Sequence, residues 1–366
     1  MRNPFIHTYD SATGGYLTVD CSINRVFAAA LPSGEYEEDL TGVAAGELFS
    51  AAAVISLIKG YRRFLNIEDN IPDTELPRKL AGCLSSEDAS VRDMAEYLTR
   101  RLGSRLGAVF LILKTGLPAN REARPDWNEK HWNYWGGLDT IILAGGMSSG
   151  ILGETLKKYA LELFDKAGVV PYRFVLAQDG ENSGTAGAAV RIGEQNGRFL
   201  LFDLGQTNLK ASVITKREGK IIKTERLGTH PALYMKSSFP NAAEKAVWAD
   251  KLNDYLISVM AETYLEQDGQ EKLDNKIAAG IANYVAAGYI NGNRGGYAKL
   301  SMLARPYEQS LSEQLTRILG RTISVGLIHD GTAAALNYKQ YDNAACITLG
   351  TAFGVGFPDM REPPVI

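Results

Sequence analysis

Cysteine is scarce: the chain has three, Cys21, Cys83 and Cys346, far apart and without a CxxC or CxC pair. That spacing supports neither a disulfide framework nor a four-ligand zinc site. It fits a reducing compartment, so a cytoplasmic location is the expectation. No apolar run approaches the roughly 20 residues of a membrane span, and MRNPFIHTYD lacks the apolar core of a signal peptide. Net charge is only −3 over 366 residues, which gives no reason to expect nucleic acid or an anionic membrane as partner. What is present is 45% hydrophobic and 22% charged residues, a globular composition in a chain long enough for two domains. Glycine is somewhat enriched, at 37 residues, and its clusters fall at the ends of strand-like runs.

The most informative stretch is Phe199–Ile214, FLLFDLGQTNLKASVI. Phe199 to Phe202 form a buried-strand run that delivers Asp203 to its end. After a Gly-containing turn, Leu209, Ala211 and Val213 alternate as in a half-buried strand. Asp203, Gly205, Thr207 and Lys210 thus fall close together. The set suits a nucleoside triphosphate with Mg²⁺: the acid holds the metal's water shell, Gly admits phosphate to the backbone, Thr adds a hydroxyl and Lys a charge. An ordinary hairpin uses the same residue types, so this stretch alone leaves both readings open.

The rest alternates between strand and helix signals. Residues 1–25 read as strand-like segments around a turn at Ser11–Gly15, and residues 41–64 as helical. Ser90–Thr115 is an amphipathic helix with Asp88 or Ser90 as cap and Gly116 as stop. The insert at 119–137, with three tryptophans, either shelves a ligand or subunit or, as the favoured reading, packs onto its own domain. A strand at Asp139–Ala144 ends in GGMSSG and opens a helix, which places bare backbone beside whatever binds there. Further strands are expected near 172–177, at Lys220–Arg226, Ile277–Ala282, Thr322–Ile328 and Ala345–Leu349. Gly184–Val190 reads as a small-residue helix; longer helices are expected at 241–267 and 307–319. The Gly/Asn-rich loop at 284–300 carries Asn291 and Asn293, suited either to sugar hydroxyls or to turn chemistry. Asp330 stands at a strand end as a catalytic carboxylate or as a helix N-cap.

Together these motifs resemble the actin-like ATPase and sugar kinase superfamily, and within it the ROK (repressor, open reading frame, kinase) branch. DLGQTNLKAS is similar to the first phosphate motif, HDGTAAAL to the stretch with the catalytic Asp, and ITLGTAFGVGF to the second phosphate motif. LDTIILAGGMSSG, with the later GTAGAAV, resembles the adenosine motif and the closing helix. IAAGIANYVAAGYINGN is similar to the strand that leads into the substrate loop. The order differs from the family's, and joining Ile366 to Met1 restores it. The chain therefore reads as a circular permutant, or as two halves that pair between molecules in a homodimer.

The resemblance implies an α/β protein of two ribonuclease-H-like domains with a nucleotide cleft between them. One would comprise 1–179 with 341–366, carrying the second phosphate and adenosine motifs. The other, 180–340, would carry the first phosphate motif and the catalytic Asp. It implies ATP and Mg²⁺ as cofactors, with Asp203 organising the metal. Gly205, Gln206, Thr207, Asn208, Lys210, Gly350 and Thr351 would serve the phosphates, and Gly145, Gly146 and Met147 the adenosine. Asp330 would be the general base, with Asn291, Asn293 and His329 beside a small sugar or polyol. His329 stands where the family has Asn and can titrate near neutral pH. Gln206 replaces a Gly and can crowd the γ-phosphate. The family's GEIGH element and zinc-binding cysteines are missing, which leaves His7, Asp10 and Asp20 as candidate polar contacts. The implied function is a sugar kinase. The alternatives are an inactive nucleotide- or sugar-binding regulator and a partner-remodelling ATPase.

Overall fold

The computed structural model describes residues 2–8, 15–34, 36–178, 183–303, 305–360 and 364–366. Asp10 and the turn residues Ser11 to Gly14 lie outside the described residues, as does Met1, whose nearness to Ile366 the permuted order requires. The chain divides into two compact units. The first comprises Met1–Phe5, Asp20–Asn182 and Gln340–Val355; the second comprises Ile6–Val19, Ser183–Lys339 and Gly356–Ile366.

The second unit is built on a five-stranded sheet. Its order is Ser324–His329, Lys276–Ile281, Gly197–Leu204, Asn208–Arg217, Lys220–Pro231. The first three strands are mutually parallel, and the hairpin-linked pairs are antiparallel. Parallel neighbours need crossovers, which the helices Ala242–Gln270 and Tyr307–Leu319 supply. Period-two alternation sorts the FLLF run onto two faces. Leu200 and Phe202 pack with Leu256, Met260 and Leu311, while Phe199 and Leu201 pack with Ala188, Ile192 and Ala333. Both faces are covered, which is why the run is continuously apolar. The small-residue stretch forms the helix Ser183–Ala188. A Cβ on Gly187 would sit 1.7 Å from the Ala333 carbonyl oxygen, so only glycine permits this contact with the helix Asp330–Leu336.

Apart from shifts of one to three residues at the junctions near 180 and 340, the boundaries read from sequence differ from this division in two segments, Ile6–Val19 and Gly356–Ile366. Specific contacts hold the latter to the second unit. The Ile366 N–H donates to the Arg191 carbonyl at 2.9 Å, the Thr332 hydroxyl meets the Met360 sulfur at 3.8 Å, and Gly356 lies flush on the Gly331 carbonyl.

The first unit has a four-stranded sheet, in the order Phe353–Gly356, Ala344–Leu349, Thr140–Ala144, Arg173–Leu176, the last three parallel. The helix Ala89–Thr115 starts at Asp88, whose carboxylate accepts from the Ser90 and Val91 N–H groups, and stops at left-handed Gly116. Gly103 and Gly107 let it approach the helix Gly150–Lys166; a Cβ at Gly103 would lie 2.6 Å from that of Tyr159. Trp127, Trp132 and Trp135 are buried, with Trp127 and Trp135 packed on Phe5 at 5.3 and 6.1 Å between ring centroids. The Trp-rich insert is therefore core, with no shelf to offer a ligand. Among the described residues no helix is long and apolar enough to cross a membrane, and the three cysteines are free thiols.

Candidate functional site

The carboxyl ends of the three parallel strands in the second unit bring Asp203 and Asp330 to one edge of the sheet. Strand register sets Asp203 across the hairpin from Lys210 and beside Gly280. The Lys210 Nζ stands 3.8 Å from Asp203 Oδ2. A Cβ on Gly184 would come within 3.9 Å of the Asp203 carboxyl carbon, and one on Gly280 within 4.0 Å of the Asp330 Cα. Both glycines therefore border the acids. Burial raises the Asp203 carboxyl to about 6; Lys210 opposes the shift and the Asp330 charge adds to it. Burial likewise raises Asp330 to about 6, against backbone hydrogen bonds that pull it down.

The N-cap of the helix Asp330–Leu336 is His329, not Asp330. Its Nδ1 accepts from the Thr332 N–H at 3.2 Å, which leaves the ring proton on Nε2, 3.3 Å from Asp330 Oδ1. The imidazole is stacked on Tyr284, with centroids 4.6 Å apart and planes 14° apart. Burial pushes its pKa down to about 3. The expectation that His329 titrates near neutral pH is thereby overturned: the ring stays neutral, and its nitrogens face Thr332 and Asp330. Asp330 Oδ1 also accepts from the Gly331 N–H at 2.7 Å.

The turn after Asp203 is closed by the Gly205 N–H to the Asn208 carbonyl at 3.0 Å. The Gln206 Nε2 donates to the Ala282 carbonyl and its Oε1 accepts from the Gly296 N–H, each at 2.9 Å. Gln206 is thus turned into the neighbouring loop, which corrects the expectation that it crowds a phosphate. The Tyr297 hydroxyl donates to the Gly205 carbonyl at 2.9 Å, and the Thr207 carbonyl accepts from the Ala232 N–H. The side chains of Asn291 and Asn293 are exposed. The residue that shapes their loop is Asn283, which the sequence reading missed. It is buried, donates to the Arg294 carbonyl at 3.0 Å and accepts from the Gly292 N–H at 2.9 Å. Its position just past an apolar strand was the available signal.

In the first unit, Gly145 to Met147 and Gly350 come together. Gly145 has φ +92°, and a Cβ there would lie 2.5 Å from the Leu349 carbonyl oxygen. The Gly350 carbonyl accepts from Ala51 N–H at 2.9 Å, at the start of the helix Ala51–Gly60. Met147 is buried, whereas Gly146 and Thr351 are exposed.

Among the described residues no group of three or more His, Cys, Asp or Glu side chains forms a ready metal cage. Two partly buried carboxylates, one of them with a lysine 3.8 Å away, nevertheless fit a hard cation. Mg²⁺ is commonly held by one or two carboxylates, with phosphates and water completing its octahedron.

No protein-family model matches the chain, and no curated protein does. Among solved structures, it is similar to the ethanolamine utilization protein EutJ from Carboxydothermus hydrogenoformans, with 16% identity, 52% of this chain and 61% of that one covered, and a TM-score of 0.29. Two solved structures of the Ppx/GppA protein family from Aquifex aeolicus are similar at 14% and 12% identity. They cover 47% and 46% of this chain and 54% and 50% of those chains, with TM-scores of 0.27 and 0.26. The chain thus spans half to three fifths of the length of these structures.

Proposed function

We propose that this chain has a circularly permuted, ROK-like actin-like ATPase fold of ribonuclease-H-like domains. We propose further that it transfers the γ-phosphoryl group of ATP to a hydroxyl of a small polyol such as a hexose or amino sugar. The observation that carries this reading is the pair of desolvated carboxylates, Asp203 and Asp330, at the carboxyl ends of parallel strands in one sheet. Ligands of open α/β sheets bind at such ends. The motif resemblance adds Gly145, Gly146, Met147, Gly350 and Thr351 as nucleotide contacts and Asn291 and Asn293 as acceptor contacts.

Asp203 would hold Mg²⁺, which neutralises phosphate charge when bound. Asp330 Oδ1 is occupied by the Gly331 N–H and faces the His329 ring. Its Oδ2 would accept the proton of the acceptor hydroxyl. As that proton leaves, the hydroxyl oxygen bonds to the γ-phosphorus and the bond from phosphorus to the bridging oxygen breaks, releasing ADP. A carboxyl with a pKa near 6 is mostly ionised at neutral pH, as a base must be. Gln206, anchored away in the neighbouring loop, gives no reason to favour an inactive regulator.

ATP consumption with Mg²⁺, measured across hexoses, amino sugars and other polyols with a no-acceptor control, tests the reading. Turnover that requires one acceptor supports it. Acceptor-independent turnover would replace the kinase by an ATPase, and bound nucleotide without turnover would replace it by a regulator.

A further inference from the structure

Behind His329, on the second unit alone, lies a cavity of about 330 Å³, within the size range of small-molecule pockets. We propose that it binds a compact, uncharged, largely apolar molecule. Its walls are mostly apolar, with Leu17, Val285, Leu327, Met360 and Val365 contributing. Its two charged side chains, Arg191 and Glu308, are already matched to each other. Arg191 Nη2 pairs with Glu308 Oε1 at 2.6 Å, and its Nη1 donates to the Pro364 carbonyl at 2.5 Å. Glu308 Oε2 accepts from the Leu327 N–H at 2.8 Å. The remaining guanidinium nitrogen, Nε, is buried without a hydrogen-bond partner among the described residues and lies against Gly326, where a Cβ would come within 2.8 Å of it.

An anionic occupant would have to draw Arg191 from Glu308, and a cationic one would have to draw Glu308 from Arg191. Either leaves a buried charge without its partner, which is strongly unfavourable. Neutral ligands avoid that cost. Thr332, whose hydroxyl lies 3.1 Å from His329 Nδ1, offers one polar handle for a hydroxyl or amide. The pocket is distinct from the edge that carries the carboxylates, because neither Asp203 nor Asp330 lines it. It shares the His329 ring, so an occupant touches the group that faces Asp330 Oδ1. Binding itself does not depend on the phosphoryl-transfer reading.

The test uses the full chain and three probes of one shape: 1-naphthalenemethanol, 1-naphthoate and 1-naphthylmethylamine. Saturation-transfer NMR with titration is expected to give saturable binding of the alcohol, at least tenfold tighter than either charged analogue. Val285→Phe and, independently, Met360→Phe should each weaken it at least tenfold while circular dichroism reports a folded chain. If one variant fails to fold, the other decides. Equal binding of all three probes, no saturable binding of the alcohol, or unchanged affinity in a folded variant overturns the proposal.

Discussion

Two strand-end turns in this molecule share a Gly-Thr signature and are built in different ways. Around Gly205, side chains do the bracing: Gln206 and Tyr297 tie the turn to Ala282, Gly296 and the Gly205 carbonyl, and an acid and a lysine stand at its mouth. Around Gly350, contacts made by the backbone predominate, with the Ser148 hydroxyl donating to the Gly145 carbonyl at 2.8 Å. Gly145 lies against Leu349 and Ala51 donates to Gly350, while Asn24 pins the following strand at Phe353. Neither stretch of that second turn, GGMSS or TLGTAF, contains a titratable side chain. The first turn can therefore exchange charge and protons with a ligand, whereas the second offers shape, backbone groups and neutral hydroxyls. On this contrast, the titratable side chains belong to the turn of the second unit.

The sharpest way to break the contrast is to remove the acid charge. Asp330→Asn keeps the hydrogen-bonding oxygen but abolishes the base, so the transfer rate should fall by about 10²–10⁴-fold. Nucleotide affinity should stay within a few-fold. Single-turnover transfer and a nucleotide titration separate the two, and surviving transfer would remove Asp330 from the mechanism. Asp203→Ala should act on binding instead, weakening Mg²⁺-nucleotide affinity by roughly tenfold or more. If its affinity for Mg²⁺-nucleotide is unchanged, Asp203 does not organise the metal.

These assignments show what was legible in the chain and what was not. The strand-end positions of Asp203 and Asp330 follow from apolar runs bounded by polar turns, because burial on both sheet faces demands such runs. The Asp88 cap and Gly116 stop are local rules and were equally readable. The orientation of Gln206 was not, because its partners are 76 and 90 residues away. Nor was the His329 cap: with Asp following His, cap preference alone points to Asp330. Burial decided instead, stacking the imidazole on Tyr284 and lowering its pKa, which no neighbouring residue in the sequence announces. The Arg191–Glu308 pair, 117 residues apart, is invisible for the same reason.

The backbone-built turn can be probed with two glycines. Gly145→Ala places a Cβ 2.5 Å from the Leu349 carbonyl oxygen at φ +92°, and should destabilise the first unit by roughly 1–3 kcal/mol. Gly350→Ala meets no atom closer than 3.9 Å, so the fold should tolerate it and any effect should appear in nucleotide affinity. Denaturant unfolding of both variants, monitored by the buried tryptophans of the first unit, checks the difference. Equal destabilisation would show that the two glycines do not differ in the way their surroundings imply.

The smallest effect concerns the cost of holding Asp330 ready. Its folded pKa of about 6 lies above the ordinary 3.8, so the folded state favours the protonated acid. The associated stability is fully present below about pH 4 and is lost as pH rises through about 6. Asn cannot ionise. Relative to the natural protein, Asp330→Asn should therefore gain stability between pH 4 and pH 7, by roughly 2 kcal/mol at about 1.4 kcal/mol per pKa unit. His329 runs in the opposite direction, losing its contribution as pH falls from 6.5 toward 3. It is present in both proteins, so the difference between them isolates Asp330. Thermal unfolding of both proteins at pH 4.0, 5.5 and 7.0, without nucleotide, reads it directly. A difference that does not grow with pH would mean that Asp330 is solvated well enough to ionise freely, and burial would then not set its protonation state.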